Sequence, residues 1–236
     1  MKTIQSIKSN AHAAGIFYLL IIITGLFSEL FVRSGIIVSD DALATAKNIA
    51  DNSFLFRIGI ISDLTMGMCD VAVALFFYLV LKPVNQGLAL LTAFFRLAQA
   101  TVIGLNLLNY YMPLLILGNS EAMTGFSGEQ LNSLVLLFLN AHRYGYLISG
   151  VFFGVSCVIL GHLIYKAVYF PKWLGALVVA AGISYLLDAV VNFLFPELAS
   201  LSEFLVMTVA VVAEVSLCFF LLIKGVRVGA STFPSS

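Results

Sequence analysis

The sequence predicts an all-α, polytopic transmembrane bundle of six helices, with two short interfacial helices in the long outer loops. Of its 236 residues, 61% are hydrophobic and 10% charged. The mean hydropathy is +1.05, more apolar surface than a soluble core can bury. Six apolar runs each reach the roughly 20 residues that a helix needs to cross a bilayer. Two short connectors, Lys82 to Gly87 and Lys166 to Lys172, each carry a proline and join antiparallel neighbours. One domain is expected over residues 1–228, with a disordered cytoplasmic tail over 229–236.

The first run, Ala11 to Val32, follows Lys2 and Lys8, but it is too long for a secretory signal and no A-x-A site follows, so it is read as an uncleaved span. The others are Arg57 to Leu81, Leu88 to Met112, Tyr144 to Tyr165, Trp173 to Phe195 and Leu201 to Ile223. No proline falls inside a span so bounded. In the first long loop, Ser39-Asp40-Asp41 reads as a helix start, with Leu43, Ala46, Ile49 and Ala50 as an apolar stripe. In the second, Ser127-Gly128-Glu129-Gln130 fits a capping box ahead of Leu131, Leu134, Val135, Phe138 and Leu139. That helix is either interfacial or runs on into the fourth span with a bend near Asn140 to Gly145.

Lysine and arginine placement sets the expected orientation. With the N-terminus inside, seven basic residues (Lys2, Lys8, Lys82, Lys166, Lys172, Lys224, Arg227) face the cytoplasm and four (Arg33, Lys47, Arg57, Arg143) lie outside. Both termini are then cytoplasmic. Arg57-Ile-Gly59 echoes Arg143-Tyr-Gly145, and Pro83 with Gly87 echoes Pro171 with Gly175, a pattern compatible with a degenerate parallel duplication.

The costly residue is Arg96, inside the third run. A guanidinium near the bilayer centre costs about 2.5 to 3.5 kcal/mol on insertion scales and cannot shed its proton. Thr92, Arg96, Gln99, Ile103, Asn106 and Tyr110 recur at steps of four and three, so one helix face is almost wholly polar. At 1.5 Å per residue, Arg96 lies about 12 Å from its span's inner end, Asp70 about 16 Å and Glu214 about 15 Å. A buried charge cluster of Asp70, Arg96, Gln99 and Glu214 is therefore expected, with Asp70, Glu214 or both on the arginine. A second group, Glu29, Arg57, Asp63, Arg143, Asp188 and Asn192, is expected to line an outer vestibule. There Arg57 and Arg143 ring the acids, suiting a small polar or anionic ligand. Arg33, Arg57 and Arg143 also read as snorkelling interface anchors, and Gly150, Gly154, Cys157 and Gly161 as a close-packing stripe.

Phe56-Arg57-Ile58-Gly59, Leu81-Lys82-Pro83-Val84-Asn85, Phe95-Arg96-Leu97 and Phe170-Pro171-Lys172-Trp173-Leu174-Gly175 resemble a bacterial multi-span family catalogued as domain of unknown function 4386. The resemblance implies a bacterial inner-membrane protein and brings no activity, substrate or catalytic residue with it.

Several function classes find no support. Twelve basic residues balance twelve acidic ones, so no global field favours nucleic acid. Cys69, Cys157 and Cys218 sit singly in apolar runs, and His12, His142 and His162 share no turn, so no metal or cofactor is expected. G-x-S-x-G, P-loop and G-x-G-x-x-G motifs are missing. A small-molecule binding or permease-like role leads the remaining readings. Behind it stands a structural or sensory protein whose buried charges only hold the bundle together, and then an intramembrane lipid-modifying enzyme. Lipid is the expected surrounding, and the sequence leaves protein partners and oligomeric state open.

Overall fold

The computed structural model describes residues 2–119 and 123–226, with the side chains of residues 2–4 outside the description. The predicted tail over 229–236 and Arg227 also lie outside the described residues. Seven helices of ten residues or more are present among the described residues, and no strand. They are α1 (Lys2–Leu26), α2 (Ala42–Asp51), α3 (Ser53–Leu81), α4 (Gln86–Gly118), α5 (Gly128–Lys166), α6 (Lys172–Leu194) and α7 (Ala199–Phe219). Helix α1 continues through a π-helical stretch, Phe27–Arg33, into a last turn, Ser34–Ile36. Six segments are long and apolar enough to cross a membrane: Gln5–Ile36, Ser53–Leu81, Gln86–Gly118, Gly128–Lys166, Lys172–Leu194 and Pro196–Lys224. We read the chain as a multi-pass membrane protein. Large apolar side chains such as Leu105, Leu108, Phe204 and Ile223 stand exposed on these segments, as lipid-facing positions do.

Local chemistry accounts for the helix ends. The Asp41 side chain accepts a hydrogen bond from the Ala44 amide at 2.9 Å and so caps α2. The buried face of α2 is Thr45, Ala46 and Ile49, and Leu43 and Ala50 of the expected stripe are exposed. Thr45 explains the rotation, because its hydroxyl is tied to both the amide and the carbonyl of Val38 at 3.0 Å. At the start of α5 the capping box is reciprocal: the Ser127 amide donates to Gln130 Oε1 at 2.8 Å and the Gln130 amide to Ser127 Oγ at 3.3 Å.

Of the two readings of that segment, the continuous one holds, since α5 runs unbroken to Lys166. Asn140 to Gly145 thus lie inside one helix, and the second short interfacial helix is the first three turns of the fourth span. Helix α4 also outruns its predicted end at Met112 and carries Pro113 in its interior. The apolar Leu114-Leu115-Ile116-Leu117 run prolongs the span past the proline. Pro113 supplies no amide to the carbonyl four residues back, at Asn109.

The chain forms two compact units. The first takes the described residues of Met1–Leu20, Cys69–Ala100 and Leu147–Ser236. Its packing rests on two places where α5 and α6 meet backbone to backbone. A methyl group built on Gly161 would stand 2.6 Å from the Gly175 carbonyl oxygen, and one on Gly182 2.6 Å from that of Gly154. Only hydrogen fits there. The second unit takes Ile21–Met68 and Thr101–Tyr146. Its core includes Val32, Ile36, Ile49, Phe56, Ile60, Leu107, Tyr110, Leu131 and Val135. A methyl group on Gly145 would meet the Asn106 amide at 2.2 Å, so this glycine lets α5 close on α4.

Candidate functional site

Every member of the polar face of α4 is buried: Thr92, Arg96, Gln99, Ile103, Asn106 and Tyr110. In the first unit, Arg96 is 1% exposed and Asp70, on α3, 2%. Arg96 Nε donates to Asp70 Oδ1 at 2.9 Å, and Nη2 stands 2.7 Å from the same oxygen. Gln99, one turn along α4, donates through Nε2 to Oδ2 at 3.1 Å. Both carboxylate oxygens are thus engaged, and the guanidinium lies over Tyr18 at 5.2 Å and Phe153 at 5.0 Å. Two polar atoms of this group have no hydrogen-bond partner, the donor Nη1 of Arg96 and the acceptor Oε1 of Gln99. Glu214, on α7, accepts from the Tyr185 hydroxyl at 2.9 Å. Asp70 is therefore the carboxylate bonded to Arg96.

Asp188 and Asn192 form a network of the same unit. Asn192 Nδ2 donates to Asp188 Oδ1 at 3.0 Å, and Ser202, on the first turn of α7, donates to the same oxygen at 2.7 Å. This joins α6 to α7 across the Phe195 to Leu198 turn.

The second unit has its own buried charge. Arg33 closes the π-helical stretch and donates through Nε to Glu29 at 2.8 Å and through Nη1 to Asp63 Oδ2 at 2.7 Å. Its guanidinium faces Tyr110 at 5.7 Å and Tyr146 at 5.3 Å. Asp63 is fully buried, while the Glu29 carboxylate is half exposed. Two expectations need correcting here. Arg57 and Arg143 are exposed, and the arginine on Asp63 is Arg33. Arg33, read as an interface anchor, has a side chain only 12% exposed and bonded to two carboxylates, in a helical segment that continues to Ile36 instead of ending at Val32. His142 is buried too, at 3% exposed. Its ring stacks on Tyr110 at 4.7 Å, and its Nδ1 lies 3.2 Å from the Asn106 carbonyl oxygen. Asn106 Nδ2 returns a bond of 2.7 Å to the His142 carbonyl.

The comparisons with known proteins bear on this arrangement as a whole. A family profile described as Domain of unknown function (DUF4386) matches residues 13–225, which reaches into both units and includes every residue of the buried networks just described. The chain belongs to the DUF4386 family. A relative in Archaeoglobus fulgidus, described as uncharacterised, is 30% identical over 158 residues, covering 66% of this chain and 76% of that protein. No solved structure matches. A similar chain therefore occurs in an archaeon. Among the described residues of this DUF4386 protein, no three histidine, cysteine or acidic side chains gather as metal ligands would.

Sequence reasoning missed Arg33, His142, Tyr146 and Ser202 as members of these networks. Arg33 carried a usable signal, since Glu29 four residues earlier already marks an i,i+4 ion pair.

Proposed function

We propose that this protein binds a small polar solute within the membrane and acts as a carrier for it, with Arg96 and Gln99 making the solute contacts. One observation carries the reading: the unpartnered donor of Arg96 and the unpartnered acceptor of Gln99 lie one helical turn apart on α4, both almost fully buried. A buried polar atom left unbonded costs about 1 to 3 kcal/mol, so a solute that supplies both bonds recovers that energy. The matching chemistry is an acceptor beside an N–H donor, as in a primary amide or a small amino acid. Asp70 holds the arginine in place, and Glu214 with Tyr185 adds a second carboxylate to the same unit. The expected location is the inner membrane of a prokaryotic cell with both termini cytoplasmic, on the lysine and arginine balance of the loops.

Thermal unfolding of the full chain in detergent, with acetamide, glycine and acetate as probes, tests this. Acetamide and glycine should raise the unfolding temperature of the wild type, and Gln99→Leu should remove the shift. Absence of any shift, or a shift that survives both Gln99→Leu and Arg96→Met with Asp70→Leu, defeats the proposal. A structural reading has an observation of its own, the double engagement of the Asp70 carboxylate, and replacing the whole pair by apolar residues tests that one.

A further inference from the structure

Four lysines of the first unit, Lys82, Lys166, Lys172 and Lys224, are gathered at one end of it by apolar packing. The connector between α5 and α6 folds inward, so that Ala167, Tyr169 and Phe170 are buried. Tyr169 donates its hydroxyl to the Val80 carbonyl at 2.7 Å, which fixes the end of α3 and, two residues on, Lys82. The Phe170 ring lies 5.5 Å from that of Phe220, which fixes the end of the sixth span and, four residues on, Lys224. Lys166 and Lys172 flank the connector itself. All four side chains belong to exposed residues.

No carboxylate comes with them. Residues 71–88, 147–174 and 215–226 contain no aspartate or glutamate, and among the described residues none of the four lysines enters an ion pair. Lys172 is held instead over the Tyr165 ring, with Nζ 5.6 Å from its centre. Helix dipoles do not account for the set, since Lys172 opens α6, where the dipole opposes a cation. Like charges held at one end without counter-charge repel one another, and an anion that meets several of them relieves the repulsion.

The neighbouring side chains select the kind of anion. Val168 in the connector, Trp173 beside Lys172 and Ile223 beside Lys224 are all exposed. A soluble anion leaves these apolar groups in water. A phospholipid covers them with its chains while its head group meets the lysines, and tryptophan favours that boundary level.

We propose that Lys82, Lys166, Lys172 and Lys224 form a binding surface for the phosphate head groups of anionic phospholipids, with Val168, Trp173 and Ile223 set against the acyl chains. The α6 to α7 turn has the reverse sign: it carries Glu197 and Glu203, and residues 173–223 contain no lysine or arginine. This inference is independent of the solute contacts at Arg96 and Gln99, and failure of either leaves the other standing.

The test is lipid binding to the full chain in detergent, read by native mass spectrometry with phosphatidylglycerol and phosphatidylcholine of the same acyl chains. Wild type should bind phosphatidylglycerol about tenfold more tightly or better, and raising the salt to about 0.5 M should reduce the difference. Each lysine at an anionic surface is worth about fivefold in affinity, so Lys82→Gln with Lys166→Gln and Lys172→Gln should lose most of the preference. Lys47→Gln with Arg57→Gln, which removes two exposed cations from the second unit, should keep it. Glycerol phosphate, the same head-group chemistry without chains, should not displace the lipid at equal concentration. Equal binding of the two lipids to wild type overturns the proposal, a result that needs no variant to fold. A preference that survives the triple substitution, or that falls as far in the second-unit variant, overturns it too. Displacement by glycerol phosphate makes the ligand a soluble anion and equally defeats the lipid assignment.

Discussion

Arg96 and Asp70 meet through a single oxygen: Nε and Nη2 of the arginine lie 2.9 and 2.7 Å from Oδ1, while Oδ2 is taken by Gln99. Arg96→Met then leaves a buried carboxylate without its cation and should destabilise the chain by about 3 to 5 kcal/mol. Adding Asp70→Leu should restore much of the loss, so the double variant should be more stable than the single one. Unfolding of both in the same detergent compares them directly, and equal stabilities would show that the pair is not energetically coupled.

A second test concerns the shape of Arg33 rather than its charge. The guanidinium bonds Glu29 and Asp63 from two different nitrogens while facing two tyrosine rings. Lysine keeps the charge but offers one compact ammonium, so Arg33→Lys should behave as a substantial loss. We expect the second unit to become more open to amide hydrogen exchange along Phe27–Arg33, and wild-type protection there would refute this.

The glycines of α5 are not equivalent. A methyl group on Gly150 would stand 3.9 Å from Tyr185, an ordinary contact, whereas on Gly161 it would meet α6 backbone at 2.6 Å. Gly150→Ala should be nearly neutral and Gly161→Ala should cost about 1 to 3 kcal/mol. Thermal unfolding ranks the two, and the reverse order would contradict the close approach of α5 and α6.

Much of this architecture was legible in the chain, because span length, capping and helical spacing are local properties. Ser127 and Gln130 announced a capping box, and the steps from Thr92 to Tyr110 announced a buried polar face. Which arginine serves which acid was not legible. Arg33 and Arg57 are both near the ends of apolar runs, and only the extra turn of the first span, Ser34–Ile36, decides that Arg33 is inside. Pro113 was hidden for the opposite reason, since a proline is ordinarily read as the end of a helix and here the apolar run after it prolongs the span.

Alkaline pH offers a test in the connector between α5 and α6. Tyr169 donates its hydroxyl to the Val80 carbonyl at 2.7 Å, and burial pushes that hydroxyl up to about 12. The unfolded hydroxyl ionises near its ordinary value of 10.0. A raised value in the folded state means that this contribution is intact below about pH 10 and is lost as pH climbs toward 12. Tyr169→Phe should therefore be less stable than wild type at neutral pH, with the gap narrowing between about pH 10 and pH 12. A constant gap across that interval would rule out the linkage.

The glycine contacts of α5 and α6 also bear on how the carrier proposed above would move. Two rods in backbone contact at Gly154 with Gly182 and again at Gly161 with Gly175, seven residues apart on each, have no side-chain layer between them to slide upon. They can shift only as one lever. Alternation of access in the first unit, on the carrier reading, would take its play from α1, α3, α4 or α7, with the α5 and α6 pair as the post against which those parts swing.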